Sequence, residues 1–272
     1  MTTDHPHGTH GYASVNGLEM YYENHGAGAP LVLLHGAMGT IETDFGKLLP
    51  SLATTRQVVA IEQQAHGHTA DIDRPLSYDQ MVEDTAALVR QLGLDNADFF
   101  GYSMGGGIAL QLAMRHPDLV RKFVWAGAAS YSLDGLYPEL MAGIEQLQPE
   151  HLAGTPWQQA YARTAPRPQD WPVLVCKIRD MDLKFTGWPA EAVRSVKAPA
   201  LLVIGDSDIV RPEHTAEMFR LLGGGVPGDM AGLPASQLAV LPGTTHVTLV
   251  ERVDWLVSMI TAFLDAPMPD AR

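Results

Sequence analysis

Along the chain, short apolar runs alternate with stretches in which apolar residues recur every three or four positions. Residues 18–23 and 31–35 read as strands, separated by the turn-forming Gly26-Ala27-Gly28-Ala29-Pro30. In 57–62, Val58, Val59 and Ile61 make an apolar run suited to burial on both faces of a sheet. Ser77 then opens a helix, and Gln80 three positions on completes a capping-box pattern. Met81, Thr85, Leu88 and Leu92 share one helical face, which Gly93 ends. Residues 97–102 form a strand running straight into Ser103, 108–115 a helix stopped before Pro117, and 122–126 another strand.

The rhythm changes at Tyr131. Through residue 197 the chain is rich in Pro, Trp and Gln, with helical fragments at 140–147 and 173–178. Alternation then resumes with strand 200–205, helix 213–222, strand 238–241 and helix 247–264. The pattern predicts an α/β protein with a mostly parallel central sheet flanked by helices and an inserted helical cap. Its parts are a flexible tail (1–10), a core (11–130 and 198–272) and the cap (131–197). No internal repeat is present, and 223–236 reads as a Gly/Pro-rich loop without assignable chemistry.

Composition narrows the function. Of 272 residues, 46% are hydrophobic and 18% charged, enough apolar material for a sizeable core. A formal net charge of −13 argues against nucleic acid or an anionic membrane as partner. The partner expected instead is a small molecule; the pattern leaves the oligomeric state open. The single cysteine, Cys176, excludes an intrachain disulfide and suits a reducing, cytoplasmic setting. It lies on what reads as a packed helix face. No run reaches the roughly eighteen apolar residues of a membrane span, and the first ten residues lack a signal-peptide stretch. His5, His7 and His10 read as a solvated tail, not a metal site.

Candidate chemistry centres on Gly101-Tyr102-Ser103-Met104-Gly105, between an apolar strand and a helix. A nucleophile on so sharp a turn needs small neighbours two residues before and after it. The following helix start supplies backbone N–H groups and a positive dipole end where negative charge develops. A serine also needs a base and an orienting acid, which elbow-type enzymes carry in the order Ser, Asp or Glu, His. Strand 200–205 delivers Asp206 and Asp208 at its carboxyl end, and strand 238–241 delivers His246, the edge where such groups gather in parallel sheets.

With His35-Gly36, the Ser103 elbow, Gly205-Asp206-Ser207-Asp208 and Pro242-Gly243-x-x-His246, the sequence resembles the α/β-hydrolase superfamily from about residue 12 to 264. The resemblance implies that Asp208, not Asp206, is the triad acid and that Asp206 braces a loop. It implies an oxyanion hole from the Ala37 and Met104 amides, with His35 bonding its own loop. It also implies hydrolysis of a carboxylic ester or lactone without metal or organic cofactor. C–C bond hydrolysis, perhydrolysis and a slow, receptor-like member are alternatives on the same triad. The alternative acid position, in Ala126-Gly127-Ala128-Ala129-Ser130, holds no carboxylate. His66 and His68 lack a carboxylate or cysteine arranged to make a metal site, and His214 reads as solvated or capping. Trp157, Trp171 and Trp188 read as shared between packing the cap and lining a substrate site.

Overall fold

The computed structural model describes residues 8–128 and 131–269. Its strands are β1 (Thr9–Val15), β2 (Leu18–His25), β3 (Ala29–Leu34), β4 (Arg56–Ile61), β5 (Ala97–Tyr102), β6 (Val120–Ala126), β7 (Ala200–Ser207) and β8 (Gln237–Thr245). They form one sheet in the order β1-β2-β4-β3-β5-β6-β7-β8. β1 and β2 pair antiparallel, as do β2 and β4, whereas the pairs β4-β3, β3-β5, β5-β6, β6-β7 and β7-β8 are parallel. This is the expected α/β architecture.

Helices cover both faces. α1 (Ile41–Phe45) and α2 (Leu49–Leu52) follow β3; α3 (Tyr78–Gln91) and α4 (Met104–Arg115) flank β5. Between β6 and β7 lie α5 (Pro138–Glu145), α6 (Pro156–Thr164), α7 (Trp171–Lys184) and α8 (Ala190–Arg194). α9 (Pro212–Leu221) and the short α10 (Gly228–Ala231) precede β8, and α11 (Val253–Asp265) closes the chain of helices. The two-residue period of a strand divides the core. Val32 and Leu34 of β3 pack with Met81 and Ile108 on one face, while Leu31 and Leu33 pack with Phe45 and Leu256 on the other. β5 is buried along its whole length, as a central parallel strand must be.

Several boundaries depart from the sequence pattern. Thr9 and His10, expected in a flexible tail, belong to β1, where main-chain pairing with Asn24 and Glu23 orders them; His5 and His7 lie outside the described residues. Ser77 caps α3 by accepting from the Gln80 amide at 3.2 Å, but the box is half made. The Gln80 side chain turns to Asp84 instead. Residues 247–264 are not one helix: a 3₁₀ turn at Leu249–Glu251 precedes α11. The 223–236 loop contains α10.

The excursion between β6 and β7 is joined at its neck, where the Trp188 amide donates to the Tyr131 carbonyl at 2.7 Å. α7 packs Leu174, Val175, Ile178 and Met181 inward, whereas α5 buries no residue fully. Trp171 is buried against Tyr161, and Trp188 packs on Tyr78 and Phe185. Lys177 ties α7 to the core through both Asp71 oxygens (2.8 and 2.7 Å) and the carbonyls of Ile72 and Arg74. Arg163 reaches Glu42 of α1 at 3.0 Å.

Candidate active site

Ser103 stands between β5 and α4 with φ 53° and ψ −119°, a left-handed conformation that a side chain adopts only under constraint. Its amide is pinned to the Ala126 carbonyl of β6 at 2.9 Å. The flanking glycines are required by close approach. A Cβ on Gly101 would collide with the Gly105 carbonyl, one on Gly105 with the Leu34 carbonyl, and one on Gly106 with Ala128. The glycine pattern thus lets α4 start directly against the ends of β3, β5 and β6.

His246, just past β8, places Nε2 3.0 Å from Ser103 Oγ. Its Nδ1 lies 2.8 Å from Asp208 Oδ1. Asp208 has no exposed side-chain surface and also accepts the amides of Ile209 (2.7 Å) and Gly205 (3.3 Å). The imidazole is further held by Tyr102, which stacks on it at 5.3 Å and donates its hydroxyl to the His246 carbonyl at 2.9 Å. Asp206 points elsewhere: its carboxylate accepts the amides of Gly243 and Thr244 at 2.9 and 3.1 Å, tying the β7 and β8 loops together. Those amides hold its carboxyl below the usual range. Gly127 sits against the pair, and a Cβ there would lie 3.2 Å from His246 Nδ1. Ala129 and Ser130, part of the alternative acid position, lie outside the described residues.

The loop after β3 is held almost atom by atom. The Gly36 amide donates to Asp44 at 2.7 Å, the Met38 amide to His66 Nε2 at 3.1 Å, and the Gly39 amide to the Gly36 carbonyl at 3.1 Å. Between them, the Ala37 N–H has no partner among the described residues. The Met104 N–H is likewise free of one, as first-turn amides of a helix are. His35 Nδ1 donates to the Gly36 carbonyl at 2.7 Å and its Nε2 accepts the Gln63 amide at 3.0 Å.

Asp44 and His66 were not assigned from the sequence. Both are buried, and neither carries a local motif: Asp44 holds an amide eight residues back, and His66 one twenty-eight residues back. Burial pushes the Asp44 carboxyl up and drives His66 down to about 3. His66 is therefore neutral, donating from Nδ1 to the Gln64 carbonyl (2.8 Å) and accepting at Nε2. His68 bonds Glu62 at 2.9 Å, which raises its pKa. Each of these histidines thus has a hydrogen-bonding task in the loop. His214 is a correction: it is buried, stacked on Tyr131 at 4.7 Å, because α9 packs under the excursion.

A cavity of about 430 Å³ opens above Ser103 and His246, roofed by Leu140, Ile144, Trp157 and Ile178 of the excursion. An adjoining recess of about 80 Å³ runs past Ser103 and Met104 to Tyr78, Phe185 and Asp182. No lysine or arginine lines either space among the described residues; the acidic groups are Asp44, Glu139 and Asp182. Asp182 follows Ile178 by four residues on the inward face of α7. A carboxylate at an apolar position of the heptad-like pattern was the sequence signal for it.

A family model described as "alpha/beta hydrolase fold" matches residues 29–167, just over half of the chain. The 2-hydroxymuconate semialdehyde hydrolase of Pseudomonas sp. (strain CF600) is 34% identical over 119 residues, 43% of this chain and 42% of that protein. The 2-hydroxy-6-oxo-2,4-heptadienoate hydrolase of Pseudomonas putida F1 is 26% identical over 92% of this chain and 94% of that protein. Among solved structures, the meta-cleavage product hydrolase from Pseudomonas fluorescens IP01 superposes with a TM-score of 0.72 at 19% identity, covering 93% of this chain and 97% of that one. At that identity the likeness concerns the fold.

Proposed function

Because the chain belongs to the α/β-hydrolase fold family, we propose that it is a serine hydrolase of small to medium, largely apolar carboxylic esters or lactones. One observation carries this reading: Ser103 Oγ, His246 and Asp208 form an unbroken hydrogen-bonded line that faces the cavity. Ser103 Oγ attacks the carbonyl carbon as His246 Nε2 takes its proton, and Asp208 holds the imidazole and stabilises the imidazolium. The tetrahedral oxyanion rests on the Ala37 and Met104 amides, both without a partner among the described residues. His246 returns the proton to the departing alkoxide. Water, deprotonated by His246, then releases the acid from Ser103. Residues 131–197 act as the cap that shapes the substrate space.

The test is labelling with a fluorophosphonate probe together with turnover of short p-nitrophenyl esters. Labelling at Ser103, absent in Ser103→Ala, with ester turnover supports the reading; an unlabelled wild type ends it. The names of the two Pseudomonas relatives favour a second reading, cleavage of a C–C bond in a diketone-like acid. Muconate and heptadienoate compounds are carboxylates, and a cavity lined by three carboxyl groups and no lysine or arginine supports an ester or lactone without a carboxylate instead. Comparing kcat/KM for these acids with that for p-nitrophenyl butyrate separates the two.

A further inference from the structure

Tyr78 and Asp182 line the recess that starts at Ser103, and neither side chain has a hydrogen-bond partner among the described residues. They come from different parts of the molecule, the first turn of α3 and the last turn of α7. Burial, and after it the charge of the Asp182 carboxylate, disfavours ionisation of the Tyr78 phenol. Around them Tyr78, Phe185 and Trp188 form a ring cluster with centroids 5.6, 5.3 and 4.9 Å apart. An unpaired carboxylate among aromatic rings costs stability, and such a cost persists where a ligand offsets it.

We propose that Tyr78 and Asp182 recognise an alkylammonium group on the substrate, so that the preferred acyl compound carries a cationic amine. The proposal rests on the reading of the Ser103 cavity as the substrate site. A primary ammonium supplies donors to both the Asp182 carboxylate and the Tyr78 oxygen at once. The electron-rich faces of the rings add attraction to a cation. A substrate anion would meet Asp182 and Glu139 with no lysine or arginine to hold it. A neutral hydroxyl satisfies one acceptor and leaves the charge unpaired.

Calorimetric titration of the intact protein with pentylammonium, 1-pentanol and pentanoate tests this without relying on Ser103 reactivity. Pentylammonium is expected to bind about tenfold more tightly than pentanol, with pentanoate weakest. Asp182→Asn brings the ammonium-to-alcohol ratio close to one, and Tyr78→Phe narrows it by about threefold. Pentanoate binding more tightly than pentylammonium, equal binding of all three, or a preference that survives in Asp182→Asn overturns the proposal. The wild-type series decides the matter even if a variant fails to fold. Fluorophosphonate labelling reports separately on the hydrolase reading, so either can fail alone.

Discussion

The strand ends and the helical excursion above them solve opposite problems. At the strand ends every polar group that matters is held: Asp208 by two amides and His246, His66 and Asp44 by the loop after β3, Ser103 by the β6 carbonyl. The excursion packs α7 onto the core and is tied there by Lys177 and Arg163, but its α5 buries no residue fully, and Asp182 at the cavity has no hydrogen-bond partner among the described residues. Chemistry demands atoms fixed to within a fraction of an ångström, so it sits on elements that the core immobilises. Selectivity tolerates a looser frame, which helices on a tether provide.

Substitutions sharpen this contrast. Ser103→Ala should lower ester turnover by about 10⁶-fold and abolish fluorophosphonate labelling while leaving the melting temperature near wild type. Asp208→Asn should cost about 10⁴-fold in kcat by favouring the wrong imidazole tautomer. Asp206→Asn, two residues away, should cost less than about tenfold, since an amide oxygen still accepts from the β8 loop. Equal losses at the two aspartates would refute the assignment of roles. His66→Leu leaves the Met38 N–H and Gln64 carbonyl unpaired, loosening the loop that carries the Ala37 amide. It is expected to reduce kcat by about ten- to a hundredfold with little change in KM, as measured by steady-state kinetics. Lys177→Met should act in the other sense, raising KM about threefold with kcat nearly intact, because the tether holds the roof and not the reacting atoms.

The smallest effect concerns pH and stability. Burial raises Asp182 to about 7, so its folded state binds more protons than the unfolded chain between about pH 4 and 7. Stability from this group is complete below pH 4 and lost as pH rises through 7. Asp182→Asn should therefore melt a few degrees higher than wild type at pH 8 and no higher at pH 4. His66 runs the opposite way: its folded pKa of about 3 lies below the unfolded value. Its contribution is complete above about pH 6.5 and is lost as pH falls toward 3. His66→Gln should flatten the acid limb of the melting curve, whereas Asp182→Asn should flatten the alkaline one.

The same division governs what was legible in the sequence. β5, α3, α4 and the Ser103 turn follow from local period and glycine spacing, because steric rules act between near neighbours. Asp206 and Asp208 needed family resemblance to tell apart, since both follow the same strand and differ only in which loop they face. The loop braces Asp44 and His66 left no local trace: their partners are backbone amides eight and twenty-eight residues away. β1 was missed because it is an edge strand whose order comes from β2. His214 was misread because its burial depends on Tyr131, far off in sequence.

The strand order carries a consequence for biosynthesis. Ser103 leaves the ribosome long before β7 and β8, which bring Asp208 and His246 to it from 105 and 143 residues further on. Under the proposed mechanism, a nascent or prematurely ended chain thus holds the serine with no base to arm it. The proposed reactivity would then switch on only when the last parallel strands have docked, making catalytic competence itself a report of completed folding.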